Sequence, residues 1–214
     1  MSFRLIPLVC CCLLAAPAVA APGIVRVRVT TTAGPIVLAL DTRHAPATTR
    51  NFLAYVDDRR FDGISFYRAA RSRLAPTFGF IQGGIRTDAR RILPPFKHEP
   101  TTQTGIRHTD GTISMARRME ANSAGGNFFI TIGPMASMDA RPDYPGYAAF
   151  GHVVAGMPLV KRILAQPTGG GMGGQLLMRP VTIVSVRRLD GVAKPTGLPK
   201  PWLIEERPKR KGGR

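Results

Sequence analysis

The sequence predicts a mainly β domain, built as a closed or nearly closed antiparallel barrel with two helices. Three observations lead to this fold class. Short apolar or alternating runs recur along the chain, Gly and Pro turn signals separate them, and only two stretches have the apolar spacing of an amphipathic helix. The chain has 214 residues, including 23 Gly and 19 Pro, which is enough for one domain with a substantial core.

The first two predicted strands form a hairpin. Residues 24–31 alternate between apolar and polar or charged side chains, the period of a half-buried strand. The turn residues Ala33-Gly34-Pro35 follow, and residues 36–40 form a continuous apolar run. Two such runs around a short turn predict a β-hairpin.

A helix is predicted next. Pro46 suits a first helical turn, where the missing N–H has no partner to lose. Residues 49–59 keep Phe52, Leu53 and Val56 on one face, and Asp62-Gly63 ends the segment. A second short helix is predicted at residues 158–165, where four apolar side chains share a face.

The remaining predicted strands are short and separated by turn residues. They lie at residues 64–68, 79–82, 112–116, 128–132, 149–154 and 181–187. The Gly-rich stretch at residues 168–174 lacks the Lys-Ser/Thr ending of a phosphate-binding loop. It is predicted to be a flexible loop.

The N-terminal residues 1–20 have the pattern of a secretory signal peptide: a basic start, an apolar run and small residues before a cut near Ala20. An uncleaved anchor is the alternative, but the apolar run is short for a membrane span and contains Pro7 and Pro17. Cleavage predicts a periplasmic or secreted protein. It would also remove all three cysteines, at positions 10–12, and exclude disulfides, metal thiolates and a cysteine nucleophile.

The C-terminal residues 191–214 are predicted to form a basic, Pro-rich, disordered tail. The sequence leaves open whether Trp202 docks on the barrel or forms an adhesive surface. The formal net charge of +17 favours electrostatic contact with anionic envelope components. No nucleic acid partner is expected for an exported protein, and a monomer is predicted.

Three motifs carry the functional prediction. They are Phe66-Tyr67-Arg68, Phe80-Ile81-Gln82-Gly83-Gly84 and the stretch at residues 123–131, which contains Asn127-Phe128-Phe129. They place one arginine, two amides and several aromatic rings on short, glycine-bounded strands. This series resembles the proline-binding face of the cyclophilins, which are peptidyl-prolyl cis-trans isomerases, and the resemblance extends over residues 24–189.

The resemblance implies a closed eight-stranded antiparallel barrel with two capping helices, formed by residues 21–190. It implies that Arg68 is the catalytic arginine and that Gln82 orients it and contacts the substrate backbone. The substrate would be a Pro-containing polypeptide, with no cofactor and no metal ion. The implied substrate-binding residues are Phe80, Ala116, Asn127, Phe129, Met138 and Tyr147.

Several positions depart from the family pattern. The link from Arg68 to Gln82 is longer than usual, and Gly79 stands where a phenylalanine is typical, although Phe78 could take its place. Arg71 or Arg73 could therefore compete with Arg68. Ser137 replaces the tryptophan of cyclosporin-sensitive members, which predicts weak binding of the drug.

The sequence does not support a metal site or a hydrolase-type catalytic site. The four histidines lack metal-ligand spacing, and His108 and Asp110 are interpreted as turn residues. Ser114 lies in no nucleophile-elbow context. Two alternatives to an isomerase stay open: a catalytically weak peptide-binding module or chaperone, and a polyanion- or envelope-binding protein that acts through its basic tail.

Overall fold

The computed structural model describes residues 21–203. Within them lie the strands β1 (Ile24–Thr31), β2 (Gly34–Asp41), β3 (Ile64–Arg71), β4 (Gly79–Gly84), β5 (Thr112–Met115), β6 (Asn127–Ile132), β7 (Ala148–Ala155), β8 (Thr168–Gly169) and β9 (Leu176–Arg188). The helices are α1 (Pro46–Asp57), α2 (Thr101–Thr104), α3 (Met157–Leu164) and α4 (Gly171–Gly174). No helix in this part of the chain is long and apolar enough to cross a membrane.

The strands close into a barrel. Their order is β1-β2-β7-β5-β6-β4-β3-β9, every pairing is antiparallel, and β9 returns to β1 with Val186 opposite Val29. Closure leaves no unpaired sheet edge among these eight strands. The predicted eight-stranded barrel is therefore confirmed, with β8 added as a two-residue strand on β9.

Two helices, α1 and α3, pack on the barrel as predicted, and the single turns α2 and α4 were not predicted. Pro46 occupies the first turn of α1, and the helix buries Phe52 completely. The Phe52 ring lies 5.0 Å from that of Phe61 and 5.3 Å from those of Phe128 and Phe150. Each such ring pair contributes about 0.5–1.5 kcal/mol beyond buried area, so this cluster anchors α1 on the barrel.

The hairpin of β3 and β4 positions the candidate site. Arg68 lies opposite Gln82, and the register shifts between Phe66 and Arg68, so Tyr67 is the extra residue of a β-bulge. The longer link seen in the sequence extends this hairpin, since residues 69–71 pair with residues 79–81. Gly79 has φ of +149°, and a Cβ there would lie 2.0 Å from the Ala70 carbonyl oxygen, so no larger residue fits.

The C-terminal segment, residues 191–203, lies against the end of α1, where the sequence predicts disorder. The backbone N–H of Lys194 donates to Asp57 Oδ2 and that of Thr196 to Asp58 Oδ1, both at 2.9 Å. Composition alone predicts disorder here, because it cannot show that the carboxylates of Asp57 and Asp58, at the end of α1, accept hydrogen bonds from this segment. Residues 1–20 and 204–214, which hold the predicted signal peptide and the basic run at 207–211, lie outside the described residues.

Candidate active site

Arg68 lies half-buried on β3 and is held by two amide side chains. Its Nη1 donates to Gln82 Oε1 at 2.9 Å, while its Nε and Nη2 both donate to Gln175 Oε1, at 2.9 and 2.7 Å. The guanidinium lies 4.9 Å from the centre of the Phe80 ring. Within residues 21–203, no carboxylate forms an ion pair with Arg68.

A chain of hydrogen bonds continues from Gln82 across the bulge. Gln82 Nε2 donates to the Tyr67 hydroxyl at 2.8 Å, which donates to Asn127 Oδ1 at 3.0 Å. Asn127 Nδ2 in turn donates to the Ile85 carbonyl oxygen at 2.9 Å. Burial raises the pKa of Tyr67, so its hydroxyl stays protonated at neutral pH. This series of hydrogen bonds fixes the orientation of the Gln82 amide and, through it, that of the Arg68 guanidinium.

Aromatic rings form an apolar wall beside the guanidinium. The Phe80 and Phe129 rings lie 5.4 Å apart, and Tyr147 meets Phe129 edge-on at 5.3 Å. Phe129 is buried, whereas Phe80 and Tyr147 are half-buried and bound an accessible surface. Rings of this kind provide an apolar surface on which the side chain of a proline can pack.

The last two predicted site residues lie at the margins of this wall. The Met138 carbonyl accepts from the Tyr147 backbone N–H at 3.0 Å, and the Ala116 N–H donates to the Asn127 carbonyl at 2.9 Å. All eight residues predicted from the sequence are thus brought into one continuous region. Their individual roles stay predictions.

His108 supports the wall from behind. Its ring stacks on Phe129 with centroids 5.8 Å apart and an angle of 12°. Its Nδ1 lies 2.6 Å from Asp139 Oδ1 and its Nε2 lies 3.0 Å from Ser114 Oγ. The interpretation of His108 as a turn residue was wrong, because its partner is the distant Asp139 rather than the nearby Asp110.

The three side chains resemble a nucleophile, base and acid in order, but they do not form a hydrolase site. Ser114 is fully buried, and His108 and Asp139 are almost so. A nucleophile needs access to its substrate. Burial lowers the pKa of His108 and outweighs the opposing effect of Asp139, so the imidazole is neutral at pH 7 and acts as packing.

Arg71 does not compete with Arg68. Its Nη1 donates to the carbonyl oxygens of Leu164 and Gln166 at 3.3 and 3.2 Å, and its Nη2 donates to Thr168 Oγ1 at 3.0 Å. These bonds hold Arg71 at the end of α3. Arg73 is exposed in the loop that joins β3 to β4.

The sequence left open that Phe78 takes the place of the family phenylalanine that Gly79 replaces, but its ring packs against Gly133. A Cβ built on Gly133 would lie 2.6 Å from the Phe78 ring, so the ring covers that glycine.

Among residues 21–203 there is no group of three or more His, Cys, Asp or Glu side chains that could hold a metal ion.

Comparison with known proteins gives the family. The model of the cyclophilin-type peptidyl-prolyl cis-trans isomerase family matches residues 26–188. The chain belongs to this family. A peptidyl-prolyl cis-trans isomerase A of Dickeya dadantii is 37% identical over 174 residues, which cover 80% of this chain and 88% of that protein. Another isomerase, cyp18 of Streptomyces antibioticus, is 35% identical over 76% of this chain and 98% of its own length.

A solved structure has the same fold. The cyclophilin-type isomerase of Cryptosporidium parvum matches with a TM-score of 0.62 and 19% sequence identity, over 79% of this chain and 99% of that one. The protein is therefore a cyclophilin-type peptidyl-prolyl cis-trans isomerase, an enzyme of the isomerase class that acts on proline-containing polypeptides.

Sequence reasoning missed two residues that form hydrogen bonds with the predicted catalytic residues Arg68 and Gln82. Tyr67 precedes Arg68 in the sequence, and strict alternation would turn the two side chains to opposite faces. Only the bulge brings both to Gln82. Gln175 follows the Gly-rich stretch at residues 168–174 and precedes β9. Its position as an amide at a strand start was the one available signal.

Proposed function

We propose that Arg68 is the catalytic residue for rotation about Xaa-Pro bonds in exported or folding polypeptides, and that Gln82 and Gln175 position it. The observation that supports this is the set of partners around the guanidinium. Arginine carries five N–H donors. Three are used by two neutral amides, which leaves one N–H on each terminal nitrogen for a substrate carbonyl.

The chemistry requires no bond to be made or broken. Rotation costs about 18–20 kcal/mol because amide resonance is lost as the bond twists, and uncatalysed isomerisation takes tens to hundreds of seconds. A catalyst must bind the twisted state more tightly than the planar one. A fixed, charged donor does this, because the carbonyl oxygen and the prolyl nitrogen change their electron distribution on twisting and the donor needs no reorganisation.

The surroundings of Arg68 favour this role. Burial lowers the pKa of the Arg68 guanidinium, with the phenols of Tyr67 and Tyr147 acting in the opposite direction, but an arginine remains charged at neutral pH. The Phe80, Phe129 and Tyr147 wall would hold the proline ring while the flanking carbonyl turns against Arg68.

The test is exchange NMR on a short Xaa-Pro peptide, with Arg68→Ala compared with the parent protein. Loss of one such donor typically costs about 10²–10³-fold in rate, so acceleration should fall by about that factor. Arg73→Ala, which removes an exposed arginine from the adjoining loop, is the matched control. Binding without acceleration in the parent would support a peptide-binding module instead, and full activity in Arg68→Ala would refute the assignment.

We further propose that the protein is exported and that residues 21–190 form the isomerase domain, against which residues 191–203 pack. The signal-like pattern of residues 1–20 supports export, as does the absence of cysteine after position 12. N-terminal sequencing of protein recovered from a periplasmic or culture fraction should begin at Ala21. Recovery of an intact N-terminus in the cytoplasm would refute export. Contact of residues 204–214 with anionic envelope components stays a prediction.

A further inference from the structure

A cleft of about 760 Å³ adjoins the Arg68 site. It shares Tyr67, Gln82, Ala116 and Asn127 with that site, so a polypeptide bound at Arg68 would lie beside the mouth of the cleft. An extended chain advances 3.3–3.6 Å per residue, which places the neighbours of the proline within reach of this cleft.

The charged side chains that line the cleft are mostly of one sign. They are Arg86, Asp88, Arg117 and Arg118. The single carboxylate is already neutralised, since Asp88 accepts from Arg90 Nε at 2.7 Å and lies 3.3 Å from Arg91 Nε, and neither of those arginines lines the cleft. None of the three lining arginines forms an ion pair with a carboxylate of residues 21–203.

Two of these arginines are held in place by neutral contacts. Arg117 donates from Nε to the Gly146 carbonyl oxygen at 2.7 Å and from Nη1 to those of Arg118 and Met119. The Arg86 guanidinium lies 5.1 Å from the centre of the Tyr67 ring. Carbonyl oxygens and a ring face orient a guanidinium without cancelling its charge. Arg118 is exposed at the same cleft.

We propose that this cleft selects substrates with a carboxylate side chain, Asp or Glu, within the three residues that precede the proline. Oriented, unpaired arginines favour a partner of opposite charge and disfavour a basic one. The assignment to residues before the proline follows Ala116, which by family resemblance borders the groove on that side. The inference rests on the proposed function, because it takes the Arg68 site as the place where the proline binds.

The test compares short capped peptides with one proline by exchange NMR. Glu is placed in turn at each of the three positions before the proline, and Gln at the same positions gives the neutral reference. Exposed charge pairs are individually weak, so we expect at least one Glu peptide to exceed its Gln counterpart by about three- to tenfold in kcat/KM at low salt. The preference should decrease in about 0.5 M salt, because the Debye length then falls to a few ångströms and the attraction between the peptide carboxylate and the arginines is screened.

Two controls separate this cleft from the general positive charge of the protein. A peptide with Glu after the proline carries the same charge and should show no such preference. The double variant Arg86→Gln, Arg118→Gln should reduce the Glu to Gln ratio towards one. Arg28→Gln, Arg162→Gln removes the same charge at exposed positions outside the cleft and should leave the ratio unchanged.

Affinity measured by anisotropy of labelled forms of these peptides keeps the inference testable if the protein accelerates none of them. Absence of all acceleration would overturn the proposed function, and equal affinity for Glu and Gln peptides would overturn the inference. A preference for Glu after the proline, or one that survives Arg86→Gln, Arg118→Gln, would also overturn it.

Discussion

Two arginines near the β3 strand, Arg60 in the segment after α1 and Arg68 on β3, have opposite surroundings. Arg60 is 2% exposed and donates from Nε to Asp58 Oδ2 at 2.9 Å and from Nη1 to the Arg91 carbonyl oxygen at 3.1 Å. Trp202 covers its guanidinium at 4.7 Å. Arg68 is half-buried, and its partners are the oxygens of Gln82 and Gln175.

The difference separates a structural arginine from the one that we propose to be catalytic. The buried Asp58 carboxylate neutralises Arg60, which links the end of α1 to the C-terminal segment. The paired guanidinium therefore exerts little electrostatic attraction on any further group. Amide oxygens orient Arg68 but leave its charge and two N–H groups available. A ligand carbonyl can therefore bind at Arg68, and none can reach Arg60.

The largest expected effect comes from Arg60→Ala. The change leaves the fully buried Asp58 without its arginine and removes the ring contact to Trp202. Breaking a buried ion pair from one side typically costs about 3–5 kcal/mol. Urea unfolding followed by far-ultraviolet circular dichroism should show a loss of that size. Arg28→Ala, at an exposed position on β1, should stay within about 0.5 kcal/mol of the parent, and equal losses in both variants would contradict the comparison.

A smaller effect is expected from Thr196→Val, which tests the C-terminal segment. Thr196 Oγ1 donates to Asp58 Oδ2, so the change removes one bond to a charged group and should cost about 1–2 kcal/mol. Trp202 is the only tryptophan, so its fluorescence reports this segment directly. We expect the urea midpoint of unfolding, followed by Trp202 fluorescence, to be lower in Thr196→Val than in the parent protein. Thr77→Val, in an exposed loop, is the control, and an unchanged midpoint in Thr196→Val would show that the segment does not depend on Asp58.

The sequence was sufficient for the barrel because each strand has a local signal: Ile24–Thr31 alternates, and Pro46 marks the start of α1. It also led to eight candidate site residues, because the motifs that resemble a cyclophilin carry them, and the structure brings these residues into one region. It was not sufficient for Tyr67, whose role depends on a bulge. The fixed position of residues 191–203 likewise depends on carboxylates more than 130 positions away in the chain.

The pH dependence of stability gives the smallest predicted effect. Burial lowers the folded-state pKa of His108, so between about pH 6.5 and that pKa the unfolded chain binds more protons. The free energy of unfolding should therefore fall as the pH drops below about 6.5, by at most about 1.4 kcal/mol per pH unit from this group. Urea unfolding from pH 8 to 5 should show a shallower dependence in His108→Gln, and an identical slope would refute the assignment.

A second acid-induced loss should come from Asp58. Burial alone would raise its pKa, but hydrogen bonds from Thr196, Arg60 and Lys200 together lower it. Its contribution to stability is present above the unfolded value of about 3.9 and is lost as the pH falls through the lower folded value. Asp58→Asn should flatten the curve below about pH 4, whereas Asp143→Asn, at an exposed position, should not.

The most direct test of the central claim gives Arg68 the kind of partner that Arg60 has. Gln175→Glu places a carboxylate at the acceptor that already receives Nε and Nη2, where a bidentate charged pair would form. We predict that kcat/KM for an Xaa-Pro peptide falls about tenfold or more, because the paired guanidinium stabilises the twisted amide less. The free energy of unfolding should not decrease. Gln103→Glu, at an exposed position on α2, controls for the added charge. Full activity in Gln175→Glu would contradict the claim that Arg68 works because its partners are neutral.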